Sequence, residues 1–173
     1  MTRRRGFFYA SVCCLMLIII ACRATPDARA TKTVLPLEML ATGGQCFPAP
    51  ETWTASFISS REQLREMISR CRANRIGAAP KETPAVDFDR FGVLAVEMGE
   101  QRSTGYGFDT GKVSAFVSNR MVTVNLACHQ PSPGAVTAQM MTAPWIMIRI
   151  PLGSYGGIRV VDQDGRLLTE IKF

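Results

Sequence analysis

The chain has 173 residues and a mass of 19.0 kDa, with 47% hydrophobic and 20% charged residues, enough for one domain with a tail and too little for two full-sized domains. That composition excludes disorder throughout, a collagen-like repeat and a multi-span membrane protein. The formal charge of +6 would ordinarily raise nucleic acid or an anionic membrane as a partner, and six cysteines with a single histidine complete the inventory.

The first residues change those totals. Arg3, Arg4 and Arg5 form a basic head, and Phe7 to Ala21 is an uncharged apolar run of 15 residues, short of the roughly 20 a spanning helix needs. The run closes on Ile19-Ile20-Ala21-Cys22, which resembles the bacterial lipobox. The resemblance implies cleavage after residue 21 and acylation of Cys22, an anchor strong enough to hold a protein in a bilayer when two or more acyl chains are attached. Arg23 follows Cys22 where an inner-membrane retention signal usually carries Asp, so sorting to the outer membrane, facing the periplasm, is expected. An ordinary signal cut near Ala24 or Ala30, or an uncleaved anchor, is the alternative. Removal of residues 1–21 takes 20 basic residues to 17 against 14 acidic ones, and the charge from +6 to +3. Nucleic acid is thereby excluded as an expected partner. Arg61, Arg65, Arg70, Arg72 and Arg75 cluster, but Glu62 and Glu66 interleave, and a solvated helix face accounts for them.

Residues 22–50, with Pro26, Pro36, Pro48, Pro50, Gly43 and Gly44, read as a lipidated cysteine and a tether, within which Val34 to Leu40 could add a short edge element. Residues 51–173 read as the domain. Trp53 to Ile58 is a candidate strand. A helix follows, begun by a capping box of Ser59 with Glu62, with an apolar face of Leu64, Met67, Ile68 and Cys71 at i, i+3, i+4 and i+7, and stopped by Gly77 and Pro80 at about Asn74. Strands then fit Gly92 to Met98, Val113 to Val117, Met121 to Cys128, Val136 to Thr142, Trp145 to Ile150, Ile158 to Asp162 and Leu167 to Ile171. Ser118-Asn119-Arg120 and Asp162-Gln163-Asp164-Gly165 read as hairpin turns. The expected fold class is α+β, mainly antiparallel β, a sandwich or partly open barrel with one amphipathic helix packed on it.

Little in the sequence supports catalysis. With Cys13 and Cys14 removed with the leader and Cys22 acylated, Cys46, Cys71 and Cys128 remain, an odd number in an oxidising compartment; Cys46–Cys71 and Cys71–Cys128 bridges are both open. Cys128-His129 is the one local metal-ligand pair, and adjacent strand residues point to opposite faces, so neither a metal nor another cofactor is expected. A nucleophilic site would have to use His129, without a nucleophile elbow. Asp87-Phe88-Asp89 lacks the further ligands of a calcium loop, and Gly105, Gly107 and Gly111 do not open a helix as a phosphate cradle requires. What stands out is a set of turns carrying aromatics, prolines and glycines, residue types that anchor interfaces with little entropy loss.

Those turns carry a resemblance. An apolar strand from Phe91 to Gly99, then Thr104-Gly105-Tyr106, then Pro131-Ser132-Pro133-Gly134 with Val136, then Thr142-Ala143-Pro144-Trp145 running to Ile150-Pro151, resembles the PrcB C-terminal-type domain, named for the lipoprotein subunit of a bacterial surface protease complex. The resemblance covers about 60 residues; Thr104 stands where the family often pairs glycines before Tyr. It implies a non-enzymatic envelope lipoprotein whose domain binds a protein partner, a protease in the name-giving case, with Thr104, Gly105, Tyr106, Pro133, Gly134, Pro144 and Trp145 as partner-binding residues. Ser103-Thr104-Gly105-Tyr106 and Pro144-Trp145 are also similar to loop motifs of chagasin-type inhibitors of cysteine proteases, an immunoglobulin-like fold, although the Asn-Pro and the Arg of that pattern are missing here. A protease inhibitor is therefore the alternative function.

Overall fold

The structure, a computed structural model, describes residues 32–72 and 82–173. The leader at 1–21, Cys22 and the helix stop expected at Gly77 and Pro80 lie outside the described residues. Within them run β1 (Thr33–Leu35), β2 (Glu38–Gly43), β3 (Thr54–Ile58), α1 (Arg61–Arg72), β4 (Phe91–Glu97), β5 (Gly107–Ser118), β6 (Met121–His129), β7 (Trp145–Pro151), β8 (Gly157–Val161) and β9 (Leu167–Lys172). They form a five-stranded sheet in the order β1-β5-β6-β8-β9 and a four-stranded sheet in the order β2-β7-β4-β3. Each strand pair is antiparallel except β6 with β8. The expected α+β sandwich is therefore what forms, without barrel closure.

The period-2 pattern explains how the layers meet. Leu94 and Val96 of β4 and Ile146, Ile148 and Ile150 of β7 point between the sheets, onto Val122, Val124 and Leu126 of β6 and Ile158 and Val160 of β8. The alternate residues, Val93 and Ala95 of β4 and Trp145 and Met147 of β7, point outward and are covered by Leu64, Met67, Ile68 and Cys71 of α1. Because β4 and β7 are buried on both faces, they read as continuous apolar runs, whereas β6 faces the core on one side only and alternates. Each fully buried Leu or Ile in these two layers contributes roughly 1.5–3 kcal/mol.

Three expectations need correction. Ser60, not Ser59, caps α1: its Oγ accepts the Gln63 N–H at 3.2 Å, and Gln63 Oε1 accepts the Ser59 N–H at 2.9 Å. Gln63, three residues after the cap, therefore fills the role assigned to Glu62. The short edge element that Val34 to Leu40 could add is present twice, as β1 on one sheet and β2 on the other. Pro36 and Leu37 carry the chain across between them, and as edge strands with exposed positions neither shows a clean alternation. The stretch 136–141 forms no strand: only Thr142 makes an isolated bridge, to Gln101, because an alternating pattern without a neighbouring strand to receive its hydrogen bonds does not make a sheet. Arg70, placed on a solvated helix face, is paired with Glu97 of β4.

The open choice of disulfide is settled as Cys46–Cys71. It joins the segment after β2 to the last turn of α1, and both residues are buried beside Trp145 and Met147.

Candidate functional site

Strand directions place the sequence motifs. β4 ends and β5 begins at the same end of the sandwich where β6 ends and β7 begins, since Gly107 pairs with His129 and Glu97 with Trp145. The connections 98–106 and 130–144 are thus neighbours, joined there by the β8–β9 turn at 162–166. They are bonded to each other along their length. Gln101 and Thr142 exchange backbone bonds at 2.8 Å, the Thr104 N–H donates to the Ala138 carbonyl at 3.1 Å, and the Ala138 N–H returns a bond to Thr104 Oγ1 at 3.1 Å. Thr142 Oγ1 donates to the Ser103 carbonyl at 3.1 Å. Gly105 has φ of +97°, and a Cβ there would lie 3.0 Å from the Pro131 ring. Its lack of a side chain lets the two connections close on each other.

The expected binding residues divide into two groups. Thr104, Gly105, Tyr106, Pro133 and Gly134 lie on this paired-loop surface, with Gly105, Pro133 and Gly134 exposed and Thr104 and Tyr106 half-buried. Pro144 and Trp145 do not. Trp145 is 2% exposed, its Nε1–H donates to the Gln45 carbonyl at 3.1 Å, and its ring lies on Gly43, where a Cβ would come within 2.8 Å of Nε1. Pro144 is buried beside it, its carbonyl accepting the Met98 N–H at 2.9 Å. Both are core residues because β7 starts at Trp145 on the helix-covered face. Three other apolar residues of the loop are exposed instead, Val136 fully and Met140 and Met141 each about half. The apolar pattern at 136–141 was the signal for them, read as a strand.

A cleft of about 610 Å³ opens beside the loops, floored by Trp53, Met98, Tyr106 and Leu168 and rimmed by Gln101, His129, Asp162 and Arg166. Between Phe108 and Val113 the β5–β6 register shifts, and Asp109, Thr110 and Lys112 line a separate pocket that shares Cys128, His129 and Gln163 with this cleft. Asp109 accepts the Gly111 N–H at 3.2 Å and pairs with Lys112 at 3.1 Å; Lys112, then the Gly111 N–H, hold its carboxyl below the ordinary value. Opposite, Gln163 Oε1 accepts the Cys128 N–H at 2.9 Å, tying the β8–β9 turn to the end of β6.

Cys128 and His129 both border this cleft. Burial, with the charge of Asp162 adding to it, pushes the Cys128 thiol up to about 11. A thiol so placed is protonated at neutral pH and is a poor nucleophile. The imidazole of His129 lies on Gly107, where a Cβ would approach it to 2.7 Å. Among the described residues, no three His, Cys, Asp or Glu side chains converge as metal ligands, and no helix is long and apolar enough to cross a membrane.

Residues 93–151, from β4 through β7, match the family model described as PrcB C-terminal. The match begins and ends within the segment picked out by the loop motifs and includes both bonded connections. No curated protein and no solved structure matches the chain.

Proposed function

We propose that this chain is a lipid-anchored, non-catalytic accessory protein of the cell envelope that holds a protein partner, in the PrcB manner a protease, on its paired-loop end. The observation that carries the reading is the surface itself. Two connections within the PrcB-matching segment are locked to each other by hydrogen bonds and display Val136, Met140 and Met141 to solvent beside a cleft of mixed polar and apolar lining. A fixed loop loses little conformational freedom on docking, and apolar side chains held outside the core have no structural task of their own. The raised thiol of Cys128 supports a non-catalytic role. Acylation of Cys22 and outer-membrane sorting belong to the proposal through the lipobox pattern.

The test is photo-crosslinking in cells from a probe at Val136, with mass-spectrometric identification of the adduct. A single dominant envelope protein, lost when the same probe is carried in a Met140→Ser/Met141→Ser background, is the expected result; adducts no different from those of a probe on the exposed face of α1 would refute it. The inhibitor alternative needs a third loop at Pro144-Trp145 as part of its wedge. Burial of both residues removes that loop, and the accessory reading is preferred for that reason.

A further inference from the structure

The end of the sandwich opposite the loops carries a second surface. The register aligns Thr33 of β1 with Val117 of β5, Ser118 with Met121 of β6, Met121 with Gly157 of β8, and Gly157 with Lys172 of β9. Lys32, Arg120 and Lys172 therefore stand in one row along the edge of the five-stranded sheet, and all three are exposed. With strands about 4.8 Å apart, the row is roughly 20 Å long. Two apolar side chains flank it, Leu152 at 44% and Phe173 at 60% exposure. Acidic groups nearby are few or engaged. Glu170 is shared by Arg159 at 2.9 Å and Lys172 at 3.9 Å, while Asp87 and Asp89 sit beside Arg90 on the other sheet's side of this end. At the loop end the balance is reversed, with Glu51, Glu100, Asp109, Asp162 and Asp164 against Arg102, Lys112 and Arg166.

We propose that this cationic edge, with Leu152 and Phe173, rests on an anionic phospholipid surface, so that the domain stands on the membrane with its paired loops pointing away. The chain enters the fold at Lys32, at this end, and only nine residues separate Lys32 from Cys22. Fully extended they reach about 30 Å, and a flexible chain averages about half that. A lipid on Cys22 therefore holds this end close to the headgroups, within reach of attraction that fades over a Debye length of about 8 Å. The inference rests on the Cys22 anchor for its orientation; the charge row and apolar flanks are features of the fold.

The experiment is hydrogen–deuterium exchange on the full chain purified from membranes, reconstituted in vesicles of phosphatidylcholine alone or of equal parts phosphatidylcholine and phosphatidylglycerol. Exchange at 117–121 and 152–157 is expected to slow severalfold in the anionic vesicles, with 130–141 unchanged. High salt should abolish the difference, and Arg120→Gln/Lys172→Gln should bring it close to none, each charge removed lowering affinity for the anionic surface about fivefold. Equal exchange in both vesicle types, or protection centred on 130–141, overturns the proposal. Fatty-acid labelling that persists in Cys22→Ala would overturn the anchor alone, and the vesicle comparison still decides the surface.

Discussion

Arg70 of α1 and Glu97 of β4 form a two-point ion pair, with Nη1 3.0 Å from Oε2 and Nη2 2.7 Å from Oε1. Nη1 also donates to the Pro48 carbonyl at 2.9 Å, so one guanidinium ties the helix to both the sheet and the segment after β2. The side chains are 29% and 11% exposed. Glu97→Ala would leave the guanidinium without its carboxylate on a partly buried face. Because solvent still reaches Arg70, the expected loss is below that of a fully buried pair, about 1–3 kcal/mol by urea unfolding. Arg70→Met/Glu97→Leu together should cost less than the sum of the two alanine variants.

Trp145 is a core residue, and Trp145→Ala is expected to lower stability by about 3–5 kcal/mol, with the Gln45 carbonyl losing its donor as well. Partner capture should fall only with the folded fraction. Val136→Ser should do the opposite, leaving the melting temperature in place and weakening capture by about 1–2 kcal/mol. Thermal melts run beside pull-downs separate the two behaviours.

The Cys46–Cys71 bridge closes a loop across 25 residues, for which loop-closure entropy alone gives about 3 kcal/mol. Thermal unfolding with and without reductant measures it, and Cys46→Ala/Cys71→Ala should match the reduced protein. A melting temperature insensitive to reductant would contradict the bond.

The Cys128 thiol, raised by burial to about 11, leaves a thiolate fraction of about a thousandth at pH 8, so alkylation of the folded protein should run about a hundredfold slower than that of a free thiol. The sign for stability follows from proton counting. Between the unfolded value near 8.5 and the folded value, the native state binds more protons, so this group's contribution is full below the lower limit and is lost as pH rises toward 11. Cys128→Ser should remove that alkaline decline.

Removing the helix cap by Ser60→Ala frees the Gln63 N–H and is expected to cost about 1 kcal/mol. Ser59→Ala should cost less, because Ser59 contributes chiefly its backbone N–H to Gln63.

The residues that declared themselves in the sequence were those whose pattern has one physical cause. Leu64, Met67, Ile68 and Cys71 recur at helical spacing because one face of α1 is covered, and Val122, Val124 and Leu126 alternate because one face of β6 is. Where two causes give the same pattern, the sequence was silent. Val136 to Thr142 alternates as a strand would yet lacks a partner, and Trp145 in a Pro-Trp motif looks the same at an interface as beneath a helix. The parallel pairing of β6 with β8 was also hidden, because it depends on β7 crossing to the other sheet, a long-range event without a local signature. The paired loops were legible through their glycines and Tyr106, and their apolar tip was visible but read as a strand.

The Cys46–Cys71 bond has a further consequence for a chain that crosses a membrane N-terminus first. On the proposed export route both of its thiols would reach the oxidising side well before Cys128, the one other cysteine among the described residues. Pairing in order of arrival therefore yields the native bond and leaves Cys128 without an earlier partner to capture. β2 must wait for β7, more than a hundred residues later, before its sheet can close. On the proposed export route the covalent link would thus precede the layer it fastens, and the order of arrival would supply the selectivity that three thiols in free solution lack.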